Sequence, residues 1–123
     1  MSVLCLASGL LGARIAVASF TLAWLHSVEK VRWEEDWRVD EAELVLVEAR
    51  VRGSGAGMEP PPGGRFERGV WRYPGTVRPA QLDVAHSPYT SGYELCADGR
   101  CRPLAAYLPG LADSATIRLA PCP

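Results

Sequence analysis

Between Val31 and Val39 apolar and polar side chains alternate with a period of two, the signature of a half-buried β-strand. Val31, Trp33, Glu35, Trp37 and Val39 share one face, and Arg32, Glu34, Asp36 and Arg38 share the other, so Glu35 alone interrupts an apolar row. Asp40 to Ala42 supply a turn into a second strand over residues 43–51, strongly apolar around Val45, Val47 and Ala49, and the two strands form an antiparallel hairpin. Upstream, residues 2–7 and 14–26 read as buried strands flanking a turn from Ser8 to Gly12. Downstream, residues 66–73, 81–87, 92–97, 100–107 and 114–120 are short strand candidates between Pro-Gly, Ser-Pro and Asp-Gly turn signals, with room for a turn of helix between Ala105 and Ala112. "GSGAGMEPPPGG" (residues 53–64) is a loop, because its three prolines donate nothing to a ladder. The pattern predicts an all-β domain over residues 1–123, an antiparallel sandwich or partly open barrel of about eight or nine short strands.

Composition narrows the functional classes. A chain of 123 residues suits one domain with a real core. Its 13 Lys plus Arg against 14 Asp plus Glu leave no surplus of positive charge for a phosphate backbone, which argues against nucleic acid as a partner. The first 25 residues are apolar enough to raise a competing reading, a membrane span. Arg14 near the middle of such a span costs roughly 2.5–3.5 kcal/mol on insertion scales, and Ser8, Gly9 and Gly12 break the run. Met1 to Ala13 contain no Lys or Arg of the kind that opens a secretory signal. Strands are therefore expected here, and the compartment is left open between cytoplasmic and periplasmic or membrane-associated.

Four cysteines carry the next signal. In "LCADGRCR" the Asp98-Gly99 pair fits a two-residue type I′ turn that sets Cys96 directly opposite Cys101, at a non-hydrogen-bonded position where a cross-strand disulfide is geometrically allowed. The same spacing also suits two metal ligands, but a zinc site needs two more, from Cys5, Cys122, His26 or His86. Cys5 and Cys122 make a second bridge if the terminal strands lie side by side. Disulfides imply an oxidising compartment.

"FTLAWLHSVEKVRWEEDWRV", "LVEARVRGSGAGMEPPPGG" and "LCADGRCRPL" together resemble the family known as domain of unknown function 1850, over nearly the whole chain. The resemblance implies a small bacterial or archaeal domain, often encoded beside tripartite ATP-independent periplasmic (TRAP) transporters whose binding proteins are of the TAXI type. It implies no mechanism, because the family is itself uncharacterised.

The candidate chemistry centres on the segment "HSVEK". Phe20, Leu22, Trp24 and His26 share one strand face, so His26 continues an apolar row as Glu35 interrupts one. If both faces enter one core the two side chains meet, either as a structural pair that fixes register or as a ligand-binding or proton-handling site. Backbone N–H groups of "GSGAG" offer an anion-binding nest, although no Gly-Lys-Ser/Thr follows to make a P-loop. Folded over the HSVEK segment, that loop assembles a polar site from His26, Ser27, Glu29, Glu35, Ser54, Gly55 and Gly57 for a small carboxylate. Adjacent Ser27, His26 and Glu29 do not make a hydrolase triad, since neighbouring strand side chains point to opposite faces. Glu29, Glu34, Asp36 and Glu48 alternate with Arg32, Arg38 and Arg50, which predicts a solvated, salt-bridged face rather than a cation site. Asp83 and His86 form a weaker echo at the surface. No cofactor, metal or catalytic residue is assigned. The expectation is a non-catalytic accessory or ligand-binding module linked to TRAP transporter components. A small enzyme using His26 and Glu35, or a membrane-tethered interaction domain, are the alternatives.

Overall fold

Two-residue turns with positive backbone φ, which L side chains resist, punctuate this chain and set its strands back against one another. Asp98 and Gly99 (φ 52° and 78°) form one such turn and Arg68 and Gly69 (φ 52° and 79°) another. The computed structural model describes residues 2–26, 30–52 and 63–123. Among these, eleven strands form two antiparallel sheets with no α-helix and no closed barrel, an arrangement like a sandwich. The four-stranded sheet has the order β2 (Leu11–Ile15), β1 (Leu4–Ser8), β11 (Ala115–Pro121), β8 (Leu82–His86). The seven-stranded sheet has the order β10 (Arg100–Pro103), β9 (Glu94–Ala97), β3 (Ser19–Leu25), β4 (Arg32–Val39), β5 (Leu44–Arg52), β7 (Val70–Pro74), β6 (Arg65–Glu67).

The sheets bury their facing sides against each other. Leu4, Leu6, Val84, Ile117 and Leu119 of the small sheet join Phe20, Leu22, Trp37, Val39, Leu44 and Leu95 of the large one in a single cluster. Leu104 and Leu108 close its end, Leu104 from a 310 turn at Leu104–Tyr107. The apolar N-terminal run lies inside this fold: β1 and β2 belong to one sheet and β3 to the other. No helix of the described residues is long and apolar enough to cross a membrane.

The structure revises several strand expectations. The segment 14–26 is not one strand, because the chain crosses between sheets at Ala16–Ala18 with Val17 in the core. An apolar run without Gly or Pro carries no sign of that crossing. Residues 66–73 are a hairpin, β6 and β7, since Arg68 accepts a left-handed conformation before Gly69. The predicted strand 100–107 ends at Pro103 and continues as the 310 turn. These splits raise the strand number from the expected eight or nine to eleven.

In β5, Val47 is an extra residue. Asp36 pairs with Glu48 but Trp37 pairs with Leu46, so the inward positions run Leu44, Leu46, then Ala49 and Val51, rather than through Val45 and Val47. The bulge lets a second segment pair with the start of β5: Leu44 and Leu46 donate to the carbonyls of Pro79 and Val77, and Gly75 donates to that of Val47. A Cβ at Gly75 would sit 1.7 Å from the Leu46 carbonyl oxygen, so glycine is obligatory there.

Both expected disulfides are present. Cys96–Cys101 bridges the β9–β10 hairpin, and Cys5–Cys122 ties β1 to the residue after β11. The sequence separations of 5 and 117 residues make their contributions unequal. By loop-closure entropy, replacing Cys5 and Cys122 with serine is expected to cost about 4–5 kcal/mol, and the same change at Cys96 and Cys101 about 2 kcal/mol, as read from urea unfolding of the two double variants.

Candidate functional site

Strand register assembles a row of aromatic side chains across the large sheet. Trp24 lies opposite Trp33, Trp33 opposite Val51, Val51 opposite Trp71, and Trp71 opposite Phe66. Tyr93, just before β9, packs on Trp24 with ring centroids 5.3 Å apart, and Trp24 stacks on Trp33 at 6.0 Å. Beyond this row, His26 stacks on Trp33 at 5.8 Å. Such contacts each add about 0.5–1.5 kcal/mol beyond the area they bury. The row lies on the face that carries the core, and its two ends differ: Phe66 is half exposed, whereas Trp24 and Tyr93 pack against the hydrophobic cluster.

At that second end the sandwich opens. A cleft of about 240 Å3 is lined by Trp24, Leu25 and His26 of β3 and its end, by Ala85 and Ser87 at the end of β8, and by Thr90, Gly92 and Tyr93 of the connection to β9. A smaller cleft of about 150 Å3 shares Leu25, His26 and Thr90 with it and adds Lys30, Tyr89 and Ser91. His26 thus stands between two concavities, with an aromatic floor on one side and hydroxyls and an ammonium on the other. Tyr89 at the mouth is almost fully exposed, and its N–H donates to Ser87 Oγ at 3.1 Å, which shapes the rim. Trp33 Nε1, which lines neither cleft, is buried without a hydrogen-bond partner among the described residues, at a cost of roughly 1–3 kcal/mol.

Glu35 does not join His26. The register sets Glu35 opposite Leu22, while His26 N–H donates to the Val31 carbonyl four residues further along, so the two are about 13 Å apart along the strands. The Trp24–Trp33 stack lies between those positions. Glu35 instead accepts a bond from Trp37 Nε1 at 3.3 Å, and burial pushes its carboxyl above the usual range against that bond. Burial likewise raises the Tyr93 phenol, with the Glu35 charge adding to it. Ser27, Glu29, Ser54, Gly55 and Gly57 lie outside the described residues. Asp83, on β8, is exposed and bonded to Gln81 and Arg118, and His86 ends the same strand. Among the described residues no group of His, Cys, Asp and Glu could hold a metal ion.

The charged face is less solvated than its sequence pattern suggests. Glu34 is only 8% exposed and accepts from Arg32 Nε at 2.9 Å, Arg50 Nε at 3.2 Å and Arg52 Nη2 at 3.3 Å. Arg50 also bonds Asp36 and Glu48, Asp36 accepts from Thr21 Oγ1 at 2.7 Å, and Arg72 reaches Glu48 at 2.8 Å. Burial alone would raise the Glu34 carboxyl, but the Arg32 and Arg50 guanidinium groups outweigh it and hold it below its ordinary value. The Arg50 guanidinium does the same for Asp36, against a smaller opposing effect of burial. The alternation of signs was legible in the sequence. The burial was not, because it comes from long arginine side chains lying over a sheet face.

In comparison with known proteins, residues 20–104 match the family model described as Domain of unknown function (DUF1850). Neither the curated proteins nor the solved structures yield a match.

The opposite shifts at neighbouring carboxyls give opposite pH dependences. Glu34 and Asp36 titrate lower when folded, so their contribution is present above the ordinary carboxylate pKa and is lost as pH falls through the depressed one. Glu35 titrates higher when folded, so stability is full below the ordinary value and declines as pH rises through the raised one. Glu34→Gln is expected to lower stability by about 2–3 kcal/mol at pH 7, since it removes the negative charge that three arginines share and replaces one acceptor oxygen with an N–H donor. Glu35→Gln is expected to raise stability, on the order of 1 kcal/mol at pH 8, and to match the wild type near pH 4. Urea midpoints across that pH range check both signs.

Proposed function

Since the chain belongs to the Domain of unknown function (DUF1850) family, we propose that it is a non-catalytic ligand-binding or accessory module of a TRAP-type solute transport system, with a small carboxylate as its ligand. The cleft at His26 carries this reading. An apolar wall of Trp24, Leu25 and Tyr93 suits the hydrocarbon part of such a ligand, and Lys30, His26 and the Thr90 and Ser91 hydroxyls at the rim suit its charged end. Two disulfides fit work in an oxidising compartment, where extracytoplasmic solute-binding proteins meet their cargo. The separation of Glu35 from His26 favours binding over proton transfer, because general acid–base work needs both groups within reach of one substrate atom.

Isothermal titration with a panel of short aliphatic and aromatic carboxylates tests this function. Wild-type protein is expected to give saturable heats with at least one member. Lys30→Ala and His26→Ala are expected to weaken that binding about tenfold each, the scale of one charge-assisted hydrogen bond. Indistinguishable heats from all three proteins would remove the carboxylate site. Recovery of transporter components with tagged protein from native membranes tests the accessory role separately.

A further inference from the structure

On the opposite face of the large sheet, a groove of about 760 Å3 runs past Thr21, Asp36 and Arg50 to the Cys96–Cys101 disulfide. We propose that this disulfide is a thiol–disulfide exchange site that oxidises a dithiol substrate, with Cys101 Sγ the sulfur attacked and Cys96 the leaving thiolate.

Three observations lead there. First, the hairpin does not need the bridge to stay in place. Leu95 and Leu104 on either side of it are buried to 1% exposure, β9 is paired to β3, and Leu104 N–H donates to the Tyr93 carbonyl at 2.9 Å. A bond that closes a five-residue separation inside an anchored hairpin can open and re-form without unfolding the sheet.

Second, the two sulfurs are unlike. Cys101 is exposed, whereas Cys96 is half-buried with Arg32 Nη2 3.9 Å from its sulfur. Arg32, on β4 opposite Leu25, reaches across β3 to β9, and the small Ala23, 0% exposed and paired with both Glu34 and Glu94, leaves the guanidinium room to do so. Its bonds to Glu34 at 2.9 Å and Glu94 at 3.1 Å fix it there as a positioning residue. A fixed cation beside one sulfur stabilises the thiolate that leaves from it.

Third, the groove gives a substrate somewhere to lie, and the acid in the cross-strand row of the disulfide is already engaged. Cys101, Cys96, Thr21 and Asp36 follow one another in a cross-strand row, and Asp36 is bonded by Arg50 and Thr21. Asp98 lies in the turn beyond the bridge.

In the exchange, one substrate thiolate attacks Cys101 Sγ, the Cys96–Cys101 bond breaks, and its electron pair goes to Cys96 beside Arg32. The second substrate thiolate then attacks the first substrate sulfur, the bond from that sulfur to Cys101 Sγ breaks, and its electron pair leaves on Cys101. The substrate leaves as a disulfide, and its two protons end on Cys96 and Cys101.

The test uses the oxidised full chain, dithiothreitol as the dithiol, and glutathione to trap the mixed disulfide, with alkylation and peptide mass mapping as readout. Cys96–Cys101 is expected to open at least about tenfold faster than Cys5–Cys122, with the glutathione adduct on Cys101. Arg32→Gln is expected to slow the opening about tenfold, and Arg32→Lys to restore much of it, a rescue that a purely structural role would not produce. Equal rates for the two disulfides, an adduct on Cys96, or an unchanged rate in a folded Arg32→Gln variant would overturn the proposal. Should that variant fail to fold, the wild-type rate ratio and adduct position decide alone.

Discussion

The pairing of β3 with β4, with Trp24 opposite Trp33 and Leu22 opposite Glu35, sorts every side chain of the large sheet into one of two faces. A slip of one residue would send the tryptophans outward and drive Arg32, Glu34 and Asp36 into the core, so the register is held from both sides at once. On the inner side it is held by burial of Phe20, Leu22, Trp37 and Val39. On the outer side it is held by Glu34, whose carboxylate meets Arg50 and Arg52 of β5, besides Arg32 of its own strand, only when β4 lies in this register beside β5. The aromatic row that floors the cleft and the guanidinium that reaches Cys96 are two consequences of the same alignment.

The sandwich is asymmetric, and its asymmetry creates the openings. Four strands cannot cover seven, so the inner face of the large sheet passes from closed core near Leu22 and Leu95 to a partly open aromatic edge near Trp24 and Tyr93. There the end of β8 and the connection into β9 supply the remaining walls. Among the described residues the outer face carries no second layer, and long charged side chains take its place. On that face Ala23 is 0% exposed and Glu34 8%, with the guanidinium groups of Arg32 and Arg50 held on carboxylates. Glu35, the one acid of the described strands on the inner face, destabilises the fold at neutral pH. Its contact with the Trp37 indole offsets that cost only in part.

The two disulfides divide labour along the same lines. Cys5–Cys122 joins segments 117 residues apart and constrains the unfolded chain strongly, which suits a small domain in an oxidising setting. Cys96–Cys101 constrains little and lies in a hairpin already anchored by Leu95 and Leu104. Its position beside a groove and an immobilised arginine gives it a chemical rather than a mechanical character.

Local pattern and turn chemistry determined much of this protein. Alternation from Val31 to Val39 gave β4 and its two faces, Asp98-Gly99 gave the hairpin that pairs Cys96 with Cys101, and the turn residues gave an all-β fold. These are nearest-neighbour effects, written wherever side-chain period and φ preference are local. Tertiary structure alone decided the crossing at Val17, the bulge at Val47 that reverses the faces of β5, and the separation of His26 from Glu35. Sharing a face is a matter of parity, which a sequence displays. Meeting across a sheet is a matter of register, and register is fixed by the summed burial and ion pairing of many strands, which no single segment contains.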